Sequence, residues 1–519
     1  MDFSIIGFAR GEDHSSSFQA INPVTGEASM QSYAHATLSE LETACSLAKK
    51  ASTILANMPG VRKADFLECV ADRIDARVED LVKVMTFESG LPEARVRAEA
   101  GRTCGQLRMF AGMVRKGDWV QARIDQAQPD RKPLPKPDLR SMLRPIGPVA
   151  VFCASNFPLA YSVAGGDSAS AWAAGCPVIV KAHHAHPGTA LVVAEAVVEA
   201  VKSCGFPEGT FSMLYGDGRK LGKELVMHPF IKAVGFTGSR AGGRALFDLA
   251  SSRVEPIAVF AEMSSVNPVF VLPGLMEDKL TGFVSGLAGS ATLGNGQFCT
   301  NPGIVFHPDG PLGDRLLSEY VDRLKDIPPC PMLHAGIREA YVNGLDRLSS
   351  IEGVKVAYRA VVPSGSGGCD VGPCVLSVSL ADFLASKKIS DEVFGPSTLL
   401  VSYSSTDQLL EVVQGLEGQL TTSLFGEVAD LKANADLVAL LEATVGRMLF
   451  NQFPTGVEVC GAIVHGGPYP ATTDGQSTSV GERAIYRFVR PVCFQGFPEE
   501  ALPDELKEGN PLGIKRMDA

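Results

Sequence analysis

Long apolar runs are missing from this sequence. No stretch of about 18 apolar residues occurs, so no transmembrane helix is expected. Basic residues are in deficit: 47 Lys and Arg against 58 Asp and Glu leave a net charge of −11. No basic block offsets that charge, which excludes a nucleic-acid or anionic-membrane surface. No CxxC pair and no His/Cys cluster with zinc spacing is present, so no metal is expected. Twelve cysteines in 519 residues are too sparse for a disulfide scaffold and fit a reducing cytoplasm. The opening MDFSIIGFARGEDHSSS lacks a basic segment followed by a long apolar one, so a secretory signal is not expected. No internal repeat recurs at a fixed period.

What is there is a chain 45% apolar and 20% charged, enough for a large packed core. At about 150 residues per domain it holds roughly three units. From about Leu38 to Lys116 the pattern is helical and amphipathic, broken at Gly90-Leu91-Pro92. Residues 123–141 carry prolines at 129, 133, 135 and 137 and read as an extended arm. Apolar runs then alternate with helical ones: PVAVFCAS, PVIVKA, FSMLYG, IKAVGFTG and IAVFAEM. After residue 264 the alternation resumes with PVFVLP, a helix to Leu293, GIVFHP, helices, STLLVSY, LTTSLFGE and GRMLFN. Such an alternation predicts α/β architecture, with parallel sheets covered on both faces.

Five segments carry candidate chemistry. In LGNGQFCTNPG, Gly294 and Gly296 permit a tight turn that presents Cys299 beside backbone N–H donors. That makes Cys299 a candidate nucleophile, with a buried structural thiol as the alternative. In AVFAEMSSVNP, Glu262 ends a buried strand, where a carboxyl is expected to titrate high and serve as a base; a strand-end cap is the bland reading. In FTGSRAGGRAL, Gly238, Ser239 and Gly243 open a helix whose N-terminus suits a phosphate, although the spacing is not GxGxxG. Asn156 and Lys181 follow or end neighbouring strands, on the edge where α/β ligands bind. His183, His184 and His186 are read as turn chemistry, not as a metal site. Glu392 precedes Phe394-Gly395-Pro396, a turn into a strand.

The order SNFPL, VIVK, GFTGS, Glu262, GQFCT, EVFGP resembles that of the aldehyde dehydrogenase superfamily over roughly residues 15–500. The resemblance implies that fold: two Rossmann-like parallel-sheet domains plus a β oligomerisation arm. Residues 1–122 and 142–263 would form the dinucleotide-binding domain and 264–464 the catalytic domain. Residues 123–141 and 465–519 would supply the oligomerisation arm and tail of a homodimer or homotetramer. It implies Cys299 as the catalytic thiol, Glu262 as the base and Asn156 in the oxyanion hole. Lys181 and Glu392 would hold the two ribose rings of NAD or NADP, and Phe394 would lie beside the nicotinamide ribose. Gly238, Ser239 and Gly243 would lie under the pyrophosphate.

Three features depart from the family. EMSS stands at Glu262–Ser265 where members often carry ELGG, and STSVG (Ser477–Gly481) lacks a second glutamate. His184 stands where NAD-preferring members often have Glu, which removes repulsion of a 2′-phosphate, and Arg219 is a positive partner for one.

KPLPKPDLR, KAHHAHPGT and FPTGVEVCGAIVHGGPYPATTDGQSTSVG are similar to the 2,5-dioxovalerate (α-ketoglutaric semialdehyde) dehydrogenases. The NADP-dependent fatty aldehyde dehydrogenases of luminous bacteria share these motifs. The resemblance therefore implies oxidation of 2,5-dioxovalerate to 2-oxoglutarate, with a medium- or long-chain aldehyde as the alternative. Arg108 is the candidate cation for the substrate carboxylate, and Tyr161 and Phe453 are candidate tunnel walls. A non-catalytic protein on this fold is the reading from another class. A cysteine hydrolase is a further one, and no motif places a histidine beside the thiol.

Overall fold

The computed structural model describes residues 1–12, 16–275, 277–363 and 368–518. The amphipathic N-terminal stretch forms four helices: Leu38–Ala56, Gly60–Asp75, Val78–Ser89 and Glu93–Lys116. The first opens on a capping box. Glu40 N–H donates to Thr37 Oγ1 (3.2 Å), and Thr37 N–H donates to Glu40 Oε2 (2.7 Å). The third ends at Gly90, whose φ of 67° lies in the left-handed region.

Two seven-stranded sheets follow from the alternating apolar runs. In the first, Val149–Phe152 is the middle of five parallel strands. Val178–Lys181 and then Phe211–Leu214 add on one side of it; Ala233–Thr237 and then Ala258–Glu262 add on the other. The chain thus reverses its direction of winding at Val149–Phe152. In such sheets the crevice beyond the carboxyl ends at this switch is where ligands bind. Asn156, Lys181, Gly238 and Glu262 all follow or end strands on that edge. Ile5–Ile6 and Ala9–Arg10 close the far side antiparallel.

The second sheet runs Lys355–Arg359, Cys374–Ser379, Ser397–Tyr403, Ile304–Pro308, Val269–Val271, Gln419–Phe425 and Val445–Phe450. Its pairs are parallel except the first. Lys355–Arg359 and Cys374–Ser379 lie in a stretch read as helices. A six-residue apolar run such as CVLSVS is ambiguous by periodicity, and pairing with Ser397–Tyr403 settles it as a strand.

The Pro-rich arm lies in a four-stranded sheet of Val489–Gln495, Leu139–Pro145, Arg123–Asp125 and Met517–Asp518. Residues 465–479, expected in the tail, run instead past the end of the first sheet, where Thr472 bridges Glu262. Beyond them Arg487 donates to Asp167 Oδ1 at 2.7 Å and to Ser170 Oγ at 3.3 Å, both in the helix Gly166–Ala174. The pair is buried, with Arg487 4% and Asp167 9% exposed. Removing one partner strands the other charge. Asp167→Asn should therefore cost about 3–5 kcal/mol of unfolding free energy, read as a drop in denaturant midpoint. An unchanged midpoint would show that the pair does not hold the tail.

Candidate active site

Cys299 sits on a loop built by backbone geometry. After the helix Glu277–Thr292, Gly294, Asn295 and Gly296 take φ values of 55°, 55° and 67°. A Cβ on Gly296 would lie 2.4 Å from Gly395 O, so only glycine fits there. Asn267 Nδ2 donates to the carbonyls of Cys299 and Asn301, each at 2.9 Å. Asn301 Nδ2 donates to Gly395 O (3.1 Å), and Leu333 N–H donates to Gln297 Oε1 (2.9 Å). The loop is therefore held by amide side chains and not by the sulfur.

Three reactive groups converge here. Cys299 Sγ lies 3.4 Å from His465 Nε2, and His465 Nε2 lies 2.9 Å from Glu262 Oε1. Ser479 Oγ donates to Glu262 Oε2 at 2.9 Å. Burial and the Glu262 carboxylate push the Cys299 thiol well above its ordinary range. Burial alone would raise Glu262 too. His465 beside it, with hydrogen bonds from Cys299 and Ser479, outweighs burial and holds the carboxyl below its usual value. That reverses the expectation of a high-titrating Glu262, which counted burial and not the histidine. His465 is also the thiol neighbour that no motif placed. It lies 166 positions from Cys299 in the chain, and no local pattern connects the two.

Asn156 Nδ2 donates to Gln297 O (3.2 Å), which anchors its amide against the Cys299 loop. Lys181 is buried, and its ammonium makes no hydrogen bond or ion pair among the described residues. His184 is exposed, its ring 4.4 Å from that of His183 and 5.3 Å from that of His334. Arg219 is exposed beside Asp217, whose Oδ1 accepts its backbone N–H. Ser239 caps the helix Arg240–Ser251, its Oγ accepting Gly242 N–H (3.2 Å). A Cβ on Gly243 would come 2.6 Å from Met263 Cγ. Glu392 and Phe394 border a small cavity with Gly296 and Asn301. Burial pushes the Glu392 carboxyl up to about 7, against hydrogen bonds from Ser264 and Ser265.

The aldehyde dehydrogenase family profile matches residues 9–467. The chain belongs to the aldehyde dehydrogenase family. It is 46% identical over 514 residues to α-ketoglutaric semialdehyde dehydrogenase 2 of Azospirillum brasilense, covering 99% of this chain and 98% of that one. It is 42% identical over 500 residues to α-ketoglutaric semialdehyde dehydrogenase of Acinetobacter baylyi, covering 96% and 94%. Betaine aldehyde dehydrogenase from Staphylococcus aureus, solved with NAD+, superposes with a TM-score of 0.81 at 19% identity, covering 96% and 97%. Aldehyde dehydrogenase C from Pseudomonas syringae, solved with NAD+ and octanal, does so with 0.81 at 20%, again covering 96% and 97%. The α/β fold with two parallel-sheet units is thus that of aldehyde dehydrogenases.

In this aldehyde dehydrogenase a cavity of about 310 Å³ leads to Cys299 between Arg95, Glu99, Arg102, Phe157, Tyr161, Phe298 and Val457. Tyr161 lies in its wall. Arg108 does not: its guanidinium pairs with Asp72 and Asp75 at 2.7 Å each on the outer side of the helix Glu93–Lys116. Arg102, six positions earlier, points the other way, because six residues at 3.6 per turn put two side chains on different faces. Arg102 Nη1 is buried with no hydrogen-bond partner, while Arg95 is paired with Glu99 (3.3 Å). Phe453 is half-buried and packs against the core of the second unit, its ring 4.6 Å from that of Phe425 and 5.3 Å from that of Phe283.

Proposed function

We propose that this enzyme oxidises 2,5-dioxovalerate to 2-oxoglutarate with NAD or NADP. The observation that carries the reading is the contact of His465 with both Glu262 and Cys299, where Cys299 borders a cavity whose wall holds the unpaired Arg102 N–H. The two α-ketoglutaric semialdehyde dehydrogenases, matched along nearly their whole lengths, support the substrate.

The residues at the sheet edge fit a dinucleotide. Lys181 brings a buried, unpaired ammonium, and the Ser239-capped helix brings free N–H groups for a phosphate. Glu392 and Phe394 lie toward the Cys299 loop, where a nicotinamide ribose would sit. His184 and Arg219 present no carboxylate to a 2′-phosphate, which suits NADP as well as NAD. A bound nicotinamide supplies the hydride acceptor.

Cys299 starts as a thiol and passes its proton toward His465 Nε2 as sulfur attacks the aldehyde carbon. The Asn156 amide and the Cys299 backbone N–H steady the resulting oxyanion. After oxidation a thioester remains on Cys299. Glu262, a carboxylate held by Ser479, accepts a proton from the water that hydrolyses it. Arg102 binds the carboxylate at the far end of the substrate.

Arg102→Met tests the substrate assignment. It should lower kcat/KM for 2,5-dioxovalerate about 10- to 100-fold, the worth of one charged hydrogen bond, and leave hexanal within a few-fold. If hexanal is already the better substrate of the unmodified enzyme, the medium-chain reading replaces this one. The exposed edge strand Val489–Gln495 supports a homodimer or homotetramer formed through the arm. Twelve free cysteines support a cytoplasmic location, and among the described residues no helix is long and apolar enough to cross a membrane.

A further inference from the structure

Glu262, Cys299 and His465 each offer one donor atom, and the three atoms lie within 4.8 Å of one another. The sulfur and the imidazole nitrogen are 3.4 Å apart, and the nitrogen and the carboxylate oxygen 2.9 Å. Around a tetrahedral zinc with bonds of 2.0–2.3 Å, neighbouring ligands stand roughly 3.3–3.6 Å apart. Closing the set therefore needs only small side-chain rotations.

A second observation points the same way. Glu262 Oε1 is buried, with His465 Nε2 2.9 Å away. It is a buried lone pair facing two soft donors. His465 is fixed in place, its N–H donating to Thr478 Oγ1 (2.9 Å) and its carbonyl accepting Ser479 N–H (2.8 Å). A thiolate, an imidazole and a carboxylate are the donor classes zinc prefers, and three protein ligands leave the fourth position open. No zinc spacing announces the set, since its ligands come from positions 262, 299 and 465.

We propose that the resting trio is a three-ligand trap for a thiophilic divalent cation such as Zn2+ or Cd2+, which silences the enzyme reversibly. Binding forms one metal–sulfur, one metal–nitrogen and one metal–oxygen bond and releases the thiol proton to solvent. Two negative ligands neutralise the dication, so Arg102 nearby does not forbid it. A substrate carbon on sulfur removes one ligand, so the metal captures only the free enzyme and competes with aldehyde.

The trap is independent of which aldehyde is oxidised, and its readout needs neither substrate nor nicotinamide. The full-length enzyme is titrated with Cd2+ alone and followed by ultraviolet thiolate-to-metal absorption. One Cys299-dependent equivalent is expected. Cys299→Ser should lose that band, and His465→Gln should bind Zn2+ at least tenfold more weakly. Zn2+ should raise the Tm of the unmodified enzyme but not that of Cys299→Ser, and EDTA should restore activity. The proposal fails if Cys299→Ser keeps the full band, which would place the metal on exposed Cys330, Cys460 or Cys493. It fails equally if His465→Gln binds Zn2+ as tightly as the unmodified enzyme.

Discussion

Cys299→Ala should abolish aldehyde oxidation, lowering kcat at least about 10⁴-fold, as expected when the nucleophile of covalent catalysis is removed. The fold should survive. The loop is held by Asn267, Asn301 and Gln297, none of which needs the sulfur. Tm should therefore change little, and NAD(P) binding by fluorescence titration should persist. An alanine variant that still turns over would remove the covalent mechanism altogether. One that binds no nicotinamide would instead show that the sulfur organises the cleft.

Glu262→Gln should separate the two halves of the reaction. Glu262 is the nearest negative charge raising the Cys299 thiol. Its loss lets the thiolate form at lower pH, so attack and oxidation should proceed at least as fast near neutrality. Hydrolysis should fall about 10²- to 10⁴-fold, the range for a lost general base. Rapid mixing should show a burst of about one NAD(P)H per Cys299, then a near-stalled steady state. The burst of the unmodified enzyme should climb with pH, because its thiol is held protonated, and that limb should move to lower pH in the variant. If steady turnover in Glu262→Gln matches the unmodified enzyme, another group activates the water. His465 stands nearest to take that role.

Much of the site was legible because its chemistry is local. The glycines of LGNGQFC specify the loop that carries Cys299 whatever packs around it. Strand-end positions such as Lys181 and Glu262 are visible wherever an apolar run stops at a charge. Arg108 and Arg102 were harder to separate. Both lie on one helix, and which face meets the cavity depends on how that helix packs. Phe453 fails for a related reason: an aromatic flanked by turns reads alike whether it lines a tunnel or fills a core.

The amino-acid order alone determined the alternating apolar runs, hence the parallel sheets, and the succession of motifs along their carboxyl edge. Backbone hydrogen bonding and burial of apolar runs act over a few residues, so they leave a readable period. Only the tertiary structure decided that His465 meets Cys299 and Glu262, that Arg102 rather than Arg108 faces the cavity, and that Glu262 titrates low instead of high. Those are contacts between charges far apart in the chain, and Coulombic coupling depends on distance in space, which no local pattern encodes.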